Sequence, residues 1–169
     1  MKKLTCLFIS ALLIVSLCAC SHSNEKIQKP VKFYYCTNPE AYQSGSDVFL
    51  PEIREATGYS DNISLLNLYL SGPVSDDLIS PFPAGVTVES FTIKDITAKI
   101  CLNSQFAKLS GLDLTLACAG LSLTIFELTD VQQVEFCVSN ALLDDRETIL
   151  LNRDDFLFND NSMITSSSE

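Results

Sequence analysis

Residues 70–85, "LSGPVSDDLISPFPAG", hold three of the chain's six prolines and two of its six glycines. They decide whether the chain folds as two small units or as one domain. Proline and glycine at this density punctuate a chain and read first as a linker. A free linker has no use for apolar residues, yet Leu78, Ile79 and Phe82 lie inside the stretch. It is therefore predicted to be an ordered connector within one domain.

The flanking segments supply the elements it would connect. "VKFYYCT" (31–37) is dense in aromatic and β-branched residues and predicts a strand with Val31, Phe33 and Tyr35 on one face. "DVFLPEIRE" (47–55) is a second extended piece, and Pro51 suggests an edge position for it. Ser60-Asp61-Asn62 carries helix-start chemistry before "ISLLNLYL", where Ile63, Leu66 and Leu70 share a face with Leu65 and Tyr69 beside it. Gly72 and Pro73 must end that helix. "GVTVESFTIKDITAKICLN" (85–103) reads as two strands turning near Lys94 and Asp95, with Ile96, Ala98, Ile100 and Leu102 on the buried face. In "GLDLTLACAGLSLTIFELT" (111–129) Leu114, Cys118, Leu121, Ile125 and Leu128 follow helical spacing. "QVEFCV" (133–138) is a strand with Val134, Phe136 and Val138 inward.

The order β-(β)-α-β-β-α-β predicts an α+β fold, two helices packed on one face of a small mixed or antiparallel β-sheet, and not a doubly wound parallel sheet. Leu66, Leu121, Ile125, Val134 and Phe136 should meet in its core.

The N-terminus reads as an export signal. Lys2 and Lys3 precede an uncharged, mostly apolar run from Leu4 to Leu17, shorter than the ~20 residues of a comfortable membrane span. It ends in "LCAC", which resembles a bacterial lipobox, so residues 1–19 are expected to be a lipoprotein signal peptide cleaved before Cys20. The resemblance implies a diacylglyceryl thioether on Cys20, and two acyl chains suffice for stable anchoring. An uncleaved N-terminal helix is the other reading, and both put the body outside the cytoplasm. Residues 20–30 read as a flexible polar tether, 31–158 as the domain and 159–169 as a disordered polar tail.

Charge and residue types then exclude several function classes. Cleavage would remove Lys2 and Lys3 and no acid, taking the formal net charge from −10 to −12. So acidic a body argues against nucleic acid as a partner. The single histidine, His22, lies in the tether, which removes Ser-His-Asp triads, Cys-His pairs and histidine zinc sites. No phosphate-cradling glycine motif is present. The acid pairs Asp76-Asp77, Asp144-Asp145 and Asp154-Asp155 do not follow calcium-loop spacing and read as solvated surface. No catalytic residue, metal site or cofactor is expected.

Strand alternation places Cys36, Cys101 and Cys137 on nominally outer sheet faces. Three readings fit them: a disulfide between two of the three, a thiol cluster with redox or metal chemistry, or small hydrophobes covered by a C-terminal segment such as "ETILLNRDDFLFN". Cys118, among Leu114, Leu121 and Ile125, is expected to be plain core.

Taken together, "LLNLYLSGP", "ISPFPAGVTVESFTIKDITAKICLNSQF" and "LTIFELTDVQQVEFCV" resemble the GerM-type (GerMN) domain of bacterial sporulation and spore-germination lipoproteins. The match falls on Leu70, Gly72 and Pro73, on Pro83 and Gly85, on Leu102 and Phe106, and on Thr124, Val131 and Val134. Ile96 stands where a turn glycine is usual in that family. The resemblance implies a non-enzymatic protein on the outer face of the cytoplasmic membrane, anchored by lipid on Cys20. Its partner would be another exported or membrane protein, or peptidoglycan. The strand at Lys32–Thr37 and the Pro51 segment are the candidate docking edges. A small-ligand or cell-wall-fragment binder is the alternative, and would show a pocket lined by Tyr34, Tyr59 or Tyr69.

Overall fold

In the computed structural model, residues 30–41 and 47–156 are described. The predicted signal peptide, the tether with Cys20 (apart from Pro30) and the polar tail lie outside them. Strand β1 (Pro30–Thr37) pairs antiparallel with β2 (Phe49–Glu55) along its length, and at its far end with the two-residue β3 (Leu78–Ile79), giving a sheet of order β2-β1-β3. A second sheet contains β4 (Val88–Lys94), β5 (Thr97–Leu102), β6 (Gln133–Val138) and β7 (Ile149–Asn152), in that order. Only the β5–β6 pair is parallel. Between these strands run helices α1 (Asn62–Leu70) and α2 (Gly111–Leu128), the latter crossing over between the parallel pair.

The α+β class and the order of the longer elements are as the sequence predicts, and the strands divide between two sheets where one was expected. The reason lies in β1. Among the described residues, its edge beyond β3 does not meet another strand. The Tyr34 N–H donates to Thr124 Oγ1 of α2 at 3.1 Å, and the Tyr34 carbonyl accepts from the Tyr69 hydroxyl at 2.8 Å. Side chains of the two helices thus satisfy the backbone of β1. Close approach depends on Gly120, where an added Cβ would stand 3.0 Å from Tyr69 Oη, 3.1 Å from Phe49 and 3.2 Å from the Tyr34 carbonyl.

β1 is consequently the central strand of its sheet and not a docking edge, whereas β2, with Pro51, is an edge. Helix α1 starts where expected, Asp61 accepting from the Ser64 N–H at 2.9 Å. Its buried side is Leu66 and Tyr69, with Ile63 turned outward. Gly72, at φ 96°, carries the chain out of the helix.

The connector of residues 70–85 is ordered and welds the two sheets. Phe82 stands edge-on to Tyr69 at 5.5 Å between ring centroids and 6.2 Å from Phe106. Tyr69 in turn touches Phe33 and Tyr35 of β1, and Phe106 lies 6.5 Å from Phe136 of β6. One aromatic row therefore runs from the first sheet to the second through the connector. Leu66, Leu121, Ile125, Val134 and Phe136 are all fully buried in the same core.

Candidate functional site

Two features stand out from this frame, one on each sheet. On the outward face of the second sheet, the parallel register sets Thr97 opposite Gln133, Lys99 opposite Glu135 and Cys101 opposite Cys137. Each pair is bonded. Thr97 and Gln133 share a hydrogen bond of 3.0 Å, Lys99 and Glu135 an ion pair of 2.7 Å, and the two cysteines a disulfide with Cα atoms 4.5 Å apart. Gln133 continues the row to Asn152 of β7 at 3.0 Å. Across β5 and β6 the face is thus closed by bonded pairs, with the exposed Leu150 of β7 beside Glu135.

Of the three cysteines singled out in the sequence, the structure joins Cys101 to Cys137 and leaves Cys36 on the other sheet as a free, buried thiol. The segment expected to cover the cysteines instead forms β7 beside β6. Cys118 is a buried core residue. Burial pushes the Cys36 thiol up to about 11 and the Cys118 thiol up to about 12, so both are neutral thiols at physiological pH. Burial likewise raises the Tyr35 and Tyr69 hydroxyls. Among the described residues, no group of three or more His, Cys, Asp or Glu side chains is placed to hold a metal.

The first sheet ends in a groove of about 560 Å³. Its walls come from three places. The connector contributes Ile79, Pro81, Phe82 and Pro83, the end of β1 contributes Cys36, and the approach to and first turns of α2 contribute Leu109 and Leu116. The two prolines fix φ in the connector and so hold Phe82 turned into the core while the prolines face the opening. Val48 and Ile79, 53% and 40% exposed, flank it, and Asp113 reaches it from the first turn of α2. The lining is mainly apolar with few polar groups, the pattern of sites that bind by shape and desolvation.

None of the tyrosines proposed from sequence lines this groove. Tyr69 is fully buried, Tyr59 is exposed, and Tyr34 belongs to the β1–α2 contact. The groove itself was foreshadowed only by the connector's apolar residues.

A further polar arrangement fastens the connector's start. Glu52 and Arg54, alternate residues of β2, form an ion pair with each other. Glu52 Oε2 accepts from the Val74 and Ser75 N–H groups at 2.8 and 2.9 Å, while Arg54 donates to the carbonyls of Leu68 and Gly72 at the end of α1. The Arg54 guanidinium also lies over the Phe33 and Tyr35 rings at 5.5 and 5.6 Å. Burial alone would raise the Glu52 carboxyl, but the Ser75 and Val74 N–H groups and Arg54 outweigh it and hold it below the usual value. Two charged residues on the inward face of a strand, with Ile53 outward and 66% exposed, invert the usual alternation, and that inversion was the available sequence signal.

This α+β arrangement is the architecture of GerMN domains. The family described as "Germane: Sporulation and spore germination" matches residues 32–144, and the chain belongs to that family. Among solved structures, it is similar to the tandem GerMN domains of the sporulation protein GerM from Bacillus subtilis, with a TM-score of 0.53 and 20% identity over 73% of this chain and 43% of that one. It is similar also to the first GerMN domain of the same protein, with a TM-score of 0.53 and 17% identity over 75% of this chain and 98% of that one. The chain thus spans less than half of the tandem structure and nearly all of the single domain. No curated protein matches it in sequence. β7 lies beyond the matched residues.

Proposed function

We propose that this protein is a lipid-anchored, non-enzymatic module of sporulation or germination that docks another exported or membrane protein at the cell envelope. The observation that carries the reading is the open apolar groove that the connector builds with the ends of β1 and α2. An apolar groove binds by burial and does not by itself perform chemistry. Membership of the sporulation and germination family supports the setting, and "LCAC" with Cys20 supports the anchor.

Two measurements test it. Replacing Cys20 by Ala should release the chain from membranes, and intact mass of the membrane form should show cleavage before Cys20 and added acyl mass. An uncleaved Met1 without lipid overturns the anchoring. Crosslinking in intact membranes should capture a protein partner that depends on the folded domain, and a failure to capture any overturns the docking role. The second reading, a small-ligand or cell-wall-fragment binder, is favoured by the groove's volume, which falls within the ~300–1,000 Å³ of small-molecule sites. Co-sedimentation with purified peptidoglycan, lost on Ile79→Ser, would favour it.

A further inference from the structure

The groove has a chemical polarity beyond its apolar floor. The segments 36–41, 47–48, 75–83 and 109–116 contain its lining residues or adjoin them. They contain Glu40, Asp47, Asp76, Asp77 and Asp113, and no lysine or arginine. Of these, Asp113 lines the groove itself, and main-chain bonds bring the segments of the others close to the end of β1. Thr37 Oγ1 donates to the Asp47 carbonyl at 2.7 Å, Asn38 Nδ2 to the Asp76 carbonyl at 3.0 Å, and the Asn38 N–H to the Asp77 carbonyl at 2.8 Å, so three acidic segments gather at the end of β1. Five exposed acidic residues thus lie on the segments around the exposed apolar side chains and give this rim a negative balance, with Lys108 beside Leu109 as an adjoining cation.

We propose that this groove receives an extended apolar segment bearing lysine or arginine from the protein partner, a claim that rests on the docking reading above. Three observations converge on that occupant. The floor and lips, with Val48 and Ile79 exposed, gain only from apolar side chains. The rim attracts positive charge and repels anionic lipid headgroups, so a bilayer surface is the wrong partner for this face. Among the described residues β3 is the terminal strand of its sheet and pairs with β1 at only two positions, an arrangement to which an extended backbone can add.

The test uses the full chain carrying Cys20→Ala and three short fluorescein-labelled peptides: alternating Leu and Lys, alternating Leu and Glu, and alternating Ser and Lys. The Leu/Lys peptide should bind, and weaken as salt is raised. The other two should bind at least about tenfold more weakly. Val48→Ser with Ile79→Ser, both at exposed positions, should cost the Leu/Lys peptide about tenfold. Asp113→Lys should weaken the Leu/Lys peptide and strengthen the Leu/Glu peptide, with circular dichroism unchanged. Equal binding of the Ser/Lys and Leu/Lys peptides, or Leu/Lys binding indifferent to all three substitutions, overturns the proposal. So does groove-dependent co-sedimentation with phosphatidylglycerol vesicles, or a dimer in sedimentation that Ile79→Ser abolishes. If a partner crosslinked in membranes is held equally by the wild type and by Ile79→Ser, the docking reading stands and the groove assignment falls.

Discussion

The two sheets are held by different means, and the difference tracks what each exposes. The four-stranded sheet closes its outward face with matched pairs across β5 and β6, the last of them the Cys101–Cys137 disulfide. Among the described residues, the three-stranded sheet has no such ladder. Its central strand leans on Thr124 and Tyr69 from the helices, and its connector is pinned by Glu52 and Arg54. Polar groups paired across β5 and β6 offer a partner little, because they are already satisfied. Where the strands stop short, at the two-residue β3, apolar side chains remain open and the groove forms. Binding capacity thus sits where pairing ends, on a scaffold made stiff elsewhere.

The largest way to break this arrangement is to cut the aromatic row where the sheets meet. Phe136→Ala removes a fully buried ring facing Phe106 and should cost ~3–5 kcal/mol by denaturant unfolding. A loss within ±0.5 kcal/mol, the range of a surface substitution, would show that the sheets do not share one core. Next comes the disulfide. Cys101 and Cys137 are 36 residues apart, and removing a bridge over such a loop should cost about 3–4 kcal/mol. Hydrogen exchange should quicken first in β5 and β6 when Cys101→Ser is compared with the wild type. Faster exchange confined to β1 and β2 would refute the division of labour.

Gly120 tests the other sheet. Alanine there would press on Tyr69 Oη, Phe49 and the Tyr34 carbonyl at 3.0–3.2 Å. Overpacking of this kind costs ~1–3 kcal/mol, and the better helix propensity of alanine returns up to about 1. A net loss of about 1 kcal/mol is expected, with faster exchange of the Tyr34 amide. Unchanged or increased stability would mean that α2 can move away from β1 freely.

Local periodicity made the elements legible, and distance in the sequence hid their assembly. Alternation in "QVEFCV" and the cap at Asp61 are written in neighbouring residues, and the structure follows them. The hairpin was placed too, although its left-handed residue is Asp95 at φ 54° and not Ile96, where the family usually carries glycine. That β1 is central depends on its pairing with β3 at Leu78 and Ile79, and its remaining edge meets Thr124, 90 residues away; no pattern within β1 reports either. Cys36 looked equivalent to Cys101 and Cys137 because alternation gives a face but not a sheet. β3 was missed because two residues are too few for any period. Phe82 was visible as an anomaly, an aromatic residue among prolines, and that anomaly proved to mark both the weld between the sheets and the wall of the groove.

The smallest expected effect comes from Glu52, and its pH dependence has a definite sign. The carboxyl is held below its ordinary value of 4.5 in the fold, chiefly by the Ser75 and Val74 N–H groups and Arg54 acting against burial. The unfolded chain therefore binds this proton at higher pH than the folded one does. The stabilisation is complete above the ordinary carboxylate value and is lost as pH falls through the lower folded value. Glu52→Gln, which keeps the shape and one acceptor, should cost on the order of 1 kcal/mol at neutral pH. The gap in denaturation midpoint between it and the wild type should close as the solution is acidified from about pH 6 to about pH 3. A gap constant over that range would mean that the charge on Glu52 does not pin the connector. The three-stranded sheet would then be held by the Arg54 stack on Phe33 and Tyr35 and by the Tyr34 contacts with Thr124 and Tyr69.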